Sequence, residues 1–526
     1  MTLKQLILGV LTVLAIGIFG LSLVESWQKP QIQSRLELYQ TNLILNAAQW
    51  QPSPATTGIA SLRDLLGTSP FKAALETYQE AHQQNQKLLE QTRADLQQVQ
   101  SGEEGTIKVP VLNLKLRVTL NEKARQSRQT ELEKTLQKLQ QHAQPLDLRL
   151  GLLQAQQQQT QAAQMTWQSL SQPSPQSDVA TTAQALKGLW SSPPQLLPDA
   201  EEQIQAHLHG WFRYYALTQL YQLQDRTDVL QMLQVTQQRI AQQAFLKLML
   251  LAVAPILGVL LGIGLLIVVF VQRWLKGKQS WLAQNNDVPW SVPWSGEIVW
   301  QVLILTFFVI SQIVIPLIFG VLQINTTSTN QRSQAVLILA NYGLFSLGGI
   351  GVLYASIRSF LPLPSGWFRW DWRGNWFTWG VGGYFVALPL VVLISQLNEQ
   401  IWQGRGGNNP ILPIALGGQD GLALACFFIT AGILAPLFEE VIFRGFLLPS
   451  LTRYLSVGEA IIVSSLLFAI AHLSLSEILP LTVLGIVLGV VYTRSRNLLS
   501  AILLHSLWNS ATLLGLFILA SEAQVS

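Results

Sequence analysis

Across 526 residues the chain is 49% hydrophobic and only 12% charged, more apolar and less charged than ordinary soluble proteins, which places it in the membrane class. Its net charge of +4 is small for this length, and the Lys and Arg residues near the apolar runs sit in short loops. They describe membrane orientation and form no basic stripe for a nucleic acid. A single cysteine, Cys426, excludes an intrachain disulfide framework and a cysteine-based zinc site.

The pattern predicts an all-α protein, a polytopic helical membrane bundle of about nine spans with an inserted extracytoplasmic coiled-coil domain. Residues 1–27 read as an N-terminal membrane anchor: the apolar run 6–24 follows Lys4, and no A-x-A site precedes Trp27, so retention is expected over signal-peptide cleavage. Residues 28–245 read as the inserted domain. In it Leu75, Tyr78, His82, Asn85, Leu89, Thr92, Leu96 and Val99 alternate three and four apart, as do Leu132, Leu136, Leu139, Ala143, Leu146, Leu150 and Leu153. Neither helix can bury such a stripe alone, so an antiparallel coiled-coil hairpin is expected. Between them "IKVPVLNLKLRVTL" alternates with period two from Leu112 to Leu120, which predicts a β-hairpin at the tip. "QPSPQSD" after Leu170 and "SSPPQLLP" after Trp190 read as linkers, and a further helical stretch leads into the second span.

Residues 246–419 carry spans two to five, read at 248–271, 299–322, 335–357 and 375–396; residues 420–520 carry spans six to nine, read at 421–448, 459–474, 478–493 and 498–519. On this threading Lys4, Arg273, Lys276, Lys278, Arg358, Arg369, Arg373, Arg453, Arg494 and Arg496 fall on one side, and only Arg332 and Arg405 occupy short loops on the other. Because cytoplasmic loops are enriched in Lys and Arg, this predicts an integral multi-pass protein with a cytoplasmic N-terminus and residues 28–245 outside the cytoplasm.

Ionisable residues inside an apolar run are by default functional, since a charge in hydrocarbon costs several kcal/mol unless paired. "FEEVIFRGF", residues 438–446, places Glu439, Glu440 and Arg444 in span six. Glu440 and Arg444 are four apart and can pair on one helix face, and Glu439 points about 100° away, free to face a cavity. His472 ends "FAIAH" one turn after Phe468, and His505 begins "HSLWN" one turn before Asn509. Helical rise puts Glu439 and His472 at similar depth and His505 roughly 10 Å shallower, so the three meet only if helices tilt or kink, as at Pro436. A carboxylate with imidazoles can activate water and stabilise an oxyanion, which is peptide hydrolysis chemistry. Glu439, His472 and His505 could equally ligate zinc with a position open for water. The spacing "GIVLG" at Gly485 and Gly489 reads as close helix packing.

"EEVIFR", "FAIAH" and "HSLWN", in this order, resemble the three signature motifs of the CPBP family, the CAAX-protease and bacteriocin-processing intramembrane proteases, also called Abi. The likeness covers roughly residues 420–515 and is met at every motif position. It implies an intramembrane endopeptidase hydrolysing a membrane-associated protein or lipidated peptide. By the same resemblance Glu439 is the general base, His472 its partner in holding water or a metal, Glu440 and Arg444 a supporting pair, and His505 and Asn509 the groups that polarise the scissile carbonyl. The cofactor stays open between zinc and none. The alternative reading is a noncatalytic membrane scaffold or immunity protein using the cluster structurally. The coiled-coil domain, which the motifs do not account for, is read as a receptor for substrate or a protein partner.

Overall fold

The computed structural model describes residues 2–28, 33–51, 69–101, 105–109, 114–118, 122–171, 178–324, 330–402, 406–407 and 420–521. Arg405, the linker at 172–177 and positions 110–113 and 119–120 of the alternating stretch lie outside the described residues. Two compact units divide the chain, one of residues 1–33 with 249–521, the other of residues 34–248.

Helix α1 (Leu3–Gln28) belongs to the first unit. The second unit holds α2 (Gln33–Ala47), α3 (Pro70–Ser101), the antiparallel strands β1 (Gly105–Val109) and β2 (Leu114–Val118), then α4 (Glu122–Gln156), α5 (Thr160–Ser171), α6 (Asp178–Leu189), α7 (Ala200–His207) and α8 (Gly210–Leu223). Helices α3 and α4 pack together in antiparallel sense: His82 lies against Asp147, Asn85 donates to the Leu139 carbonyl and Arg125 to that of Val99. Apolar burial drives the pairing, with Leu75, Tyr78 and Leu89 of α3 inside and Leu148, Leu152 and Leu153 of α4 joining Trp167, Trp211 and Phe212 in one core. The boundary between units falls within α9 (Thr227–Lys276), an unbroken helix of 50 residues.

The first unit continues with α10 (Gly296–Val321), α11 (Gln331–Ile357), α12 (Trp376–Trp402), α13 (Gly421–Leu451), α14 (Val457–Ile470), α15 (Ile478–Ser495) and α16 (Leu498–Ala520). Among the described residues eight helices are long and apolar enough to cross a membrane, which makes this an integral, multi-pass helical membrane protein. The expectation of about nine spans is corrected at α14. Its 14 residues rise only about 21 Å, short of a hydrocarbon core of about 30 Å. Helix α14 packs against α15, the next helix in the chain.

One end of the first unit gathers the basic residues. Lys4 pairs with Glu297, Arg453 donates to the Trp294 carbonyl, Arg494 to Asn286, and Arg496 lies over the Trp290 ring. Arg369 pairs with Asp371, which Asn497 also holds. At the opposite end Ser26 of α1 donates to the Gly406 carbonyl and accepts from the Leu475 amide, tying the first helix to the α14–α15 turn. Lipid-facing positions of α1 and α9, such as Val10, Leu14, Leu257 and Leu260, are exposed, as a bilayer solvent permits.

Candidate active site

Helix α13 carries the two glutamates on a short α-helical stretch, Ala435–Glu440, between two π-helical segments, Phe428–Leu434 and Val441–Leu447. Each π segment ends two residues before a proline, Pro436 and Pro449, and the same holds in α10, where Leu305–Val314 precedes Pro316. Proline has no N–H and crowds the carbonyl four residues back, so a widened turn ahead of it relieves the clash. Proline alone is not sufficient, since Pro145, Pro255 and Pro389 sit inside α-helices.

Glu440 and Arg444 are fully buried. Arg444 Nη1 donates to Glu440 Oε1 at 2.9 Å, Nη2 to the Gly485 carbonyl at 3.2 Å, and the guanidinium lies 4.5 Å from the centroid of the Phe468 ring. Gly485 also allows α14 and α15 to touch: a Cβ on it would meet Ser465 Cβ at 2.8 Å. From α16, His505 Nδ1 stands 2.8 Å from the same Glu440 oxygen. A carboxylate only accepts, so Nδ1 carries the proton and Nε2 points away, 3.9 Å from Glu439 Oε2.

Glu439 sits in different surroundings. Its side chain is 15% exposed where that of Glu440 is sealed. Oε1 accepts from the hydroxyl of Tyr342 on α11 at 2.7 Å, and Oε2, like that of Glu440, is buried without a hydrogen-bond partner. His472, just past the end of α14, lies with Nδ1 2.8 Å from the Phe468 carbonyl; a carbonyl cannot donate, so Nε2 is the free acceptor. The Phe468 ring lies against both imidazoles, with centroids at 4.9 Å for His472 and 5.8 Å for His505. Asn509 does not join these groups by a direct bond: its amide donates to the Ala431 carbonyl at 2.8 Å, in the first π segment of α13.

Direct contacts therefore bring Glu439, Glu440, Arg444 and His505 together, and Phe468 joins His472 to them. The expected depth gap at His505 is corrected. His505 reaches Glu440 directly, and the wider turns of the second π segment, which advance less along the axis than α-helical ones, act in that direction. Tyr342 was missed by sequence reasoning, although a hydroxyl in the apolar run 335–357 is itself a signal. Among the described residues no three His, Cys, Asp or Glu side chains converge closely enough to hold a metal ion. Glu439, His472 and His505 do not fit a three-ligand zinc centre.

Residues 421–511 match the family model for type II CAAX prenyl endopeptidase Rce1-like proteins. The chain is 28% identical over 139 residues to UPF0177 protein YxdF of Lactococcus lactis subsp. lactis, covering 26% of this chain and 75% of that protein. It is 26% identical over 135 residues to "Putative membrane peptidase YdiL" of Bacillus subtilis, covering 25% of this chain and 53% of that one, so it spans about half of the latter's length. No solved structure matches.

Proposed function

We propose, from the premise that residues 421–511 are an Rce1-like domain of a membrane protease family, that this chain is an intramembrane endopeptidase using glutamate-activated water. Its substrate is a membrane-associated protein or lipidated peptide. The observation that carries the proposal is the opposite placement of two neighbouring carboxylates. Glu440 is sealed, with Arg444 and His505 both on its Oε1, whereas Glu439 is 15% exposed, held on Oε1 by Tyr342 and with Oε2 3.9 Å from an imidazole nitrogen. Two carboxylates in contrasting environments take different roles, and the accessible one is the base.

In the proposed reaction a water gives one hydrogen bond to Glu439 Oε2 and the other to His472 Nε2, which leaves an oxygen lone pair aimed at the scissile carbonyl carbon. Glu439 takes the proton as the C–O bond forms. His505, as the imidazolium anchored on Glu440, donates from Nε2 to the developing oxyanion, with Asn509 contributing an amide N–H. When the tetrahedral intermediate collapses, the C–N bond breaks and the proton on Glu439 passes to the leaving amine. The basic end of the bundle is read as cytoplasmic, with cleavage from that side. The paired helices α3 and α4 are read as an extracytoplasmic coiled-coil hairpin that receives substrate or a protein partner.

The test uses the full chain in proteoliposomes with an internally quenched peptide in which a prenylated cysteine is followed by three residues. In parallel, membrane-bound peptides are compared in cells with and without the protein. Cleavage in either assay that falls by about 10² or more in Glu439→Gln is expected. No product from the wild type in both would overturn the proposal.

A further inference from the structure

We infer that Tyr342 is a positioning residue for the hydrolysis, holding one oxygen of Glu439 so that the other is presented to water. The inference rests on the function proposed above and adds a helix, α11, that lies outside the matched stretch 421–511. Among the described residues Tyr342 is the only side chain within hydrogen-bond distance of Glu439, at 2.7 Å on Oε1, a short contact of the kind charged acceptors make. A glutamate's terminal torsion is broad and nearly two-fold. Without a pin the two oxygens exchange freely. With the pin on Oε1, Oε2 stays toward His505 Nε2, 3.9 Å away.

The pin is itself registered to the chain it serves. Phe438, the residue before Glu439, meets Phe345 at 5.0 Å and Tyr342 at 6.3 Å between ring centroids, both edge to face. One turn further along α11, Gly349 leaves room for the same ring: a Cβ there would lie 2.6 Å from Phe438. Tyr342, Phe345 and Gly349, at positions i, i+3 and i+7, present one face of α11 to the backbone that carries the base. The hydroxyl and the glutamate are thus held by the same aromatic contact, so their separation is set by packing. Arg444 and His505 both serve Glu440, which leaves the phenol as the group that orients Glu439.

Tyr342→Phe in the full chain, assayed in proteoliposomes on the prenylated quenched peptide, should lower kcat about tenfold or more, the loss expected for one hydrogen bond to a charged group, with KM within about twofold. Introduced into Glu439→Gln, the same change should cost nothing further, because the carboxylate it orients is gone. Placing 3-fluorotyrosine at 342 keeps the donor and should hold kcat within about threefold of the wild type. If Tyr342→Phe does not fold, p-fluorophenylalanine, close in shape and unable to donate, replaces it. A kcat within about twofold of wild type for the non-donating variant, or an equal loss in both backgrounds, would overturn the inference and leave proteolysis standing. Absence of cleavage by the wild type itself sinks the parent proposal and this inference with it.

Discussion

Arg444 has no exposed surface and is committed to Glu440, the Gly485 carbonyl and the face of Phe468. Removing one member of such a buried pair strands the other charge at a cost of about 3–5 kcal/mol, whereas replacing both by apolar groups is often neutral. Arg444→Ala is therefore expected to lower the melting temperature and the amount of protein in the membrane. The double variant Glu440→Gln with Arg444→Met should recover much of that amount and remain inactive, since His505 loses its ionised acceptor; both are read by quantitative blotting and the peptide assay. Glu439→Gln should leave folding unchanged, as an amide keeps the shape, and reduce cleavage by about 10² to 10⁴, the usual worth of a general base. His472→Ala should fall in the same range, because Nε2 no longer receives the water.

Secondary elements set where these side chains can reach. Close approach of α11 to α13 depends on Gly349, whose replacement by alanine would drive Phe438 aside. That shift is transmitted to Glu439, the next residue, and a displacement of about 1 Å at a reacting group can cost about 10²-fold. Gly349→Ala should accordingly lose cleavage by at least tenfold with little change in melting temperature. In the other unit α3 and α4 are joined by His82 and Asp147, 2.5 Å apart. The hydrogen bond to Asp147 raises the His82 pKa above its ordinary 6.5, against the lowering effect of burial. A raised folded-state value means the contact stabilises fully below about 6.5, the unfolded value, and is lost as pH climbs through the folded one. Hydrogen exchange of the amides in α3 and α4 of the full chain, corrected for the intrinsic rate, should be faster at pH 8 than at pH 5.5. His82→Gln should abolish that difference.

At the scale of the whole molecule, the clustering of Lys4, Arg453, Arg494 and Arg496 at one end of the first unit predicts its membrane orientation. A reporter fused after Lys278 should read cytoplasmic and one fused after Ser101 noncytoplasmic; the reverse at both sites would invert the assignment. The membrane class, the apolar runs and the three motif segments were legible in the sequence because they are local: composition, run length and an i, i+4 spacing need no knowledge of neighbours. The Glu440–Arg444 pair followed from that spacing alone. By contrast, α14 falls short of a full span because its helix ends at Ile470, although the apolar run continues to 474. Uniform rise along each helix misplaced His505, because how the helices tilt and pack against one another, and not rise alone, brings its Nδ1 to Glu440. Tyr342 meets Glu439 across 97 positions of sequence, and Asn509 turns to the Ala431 carbonyl. Neither contact has a period or a spacing to announce it, because both are set by which helices pack side by side, and only the tertiary structure decides that.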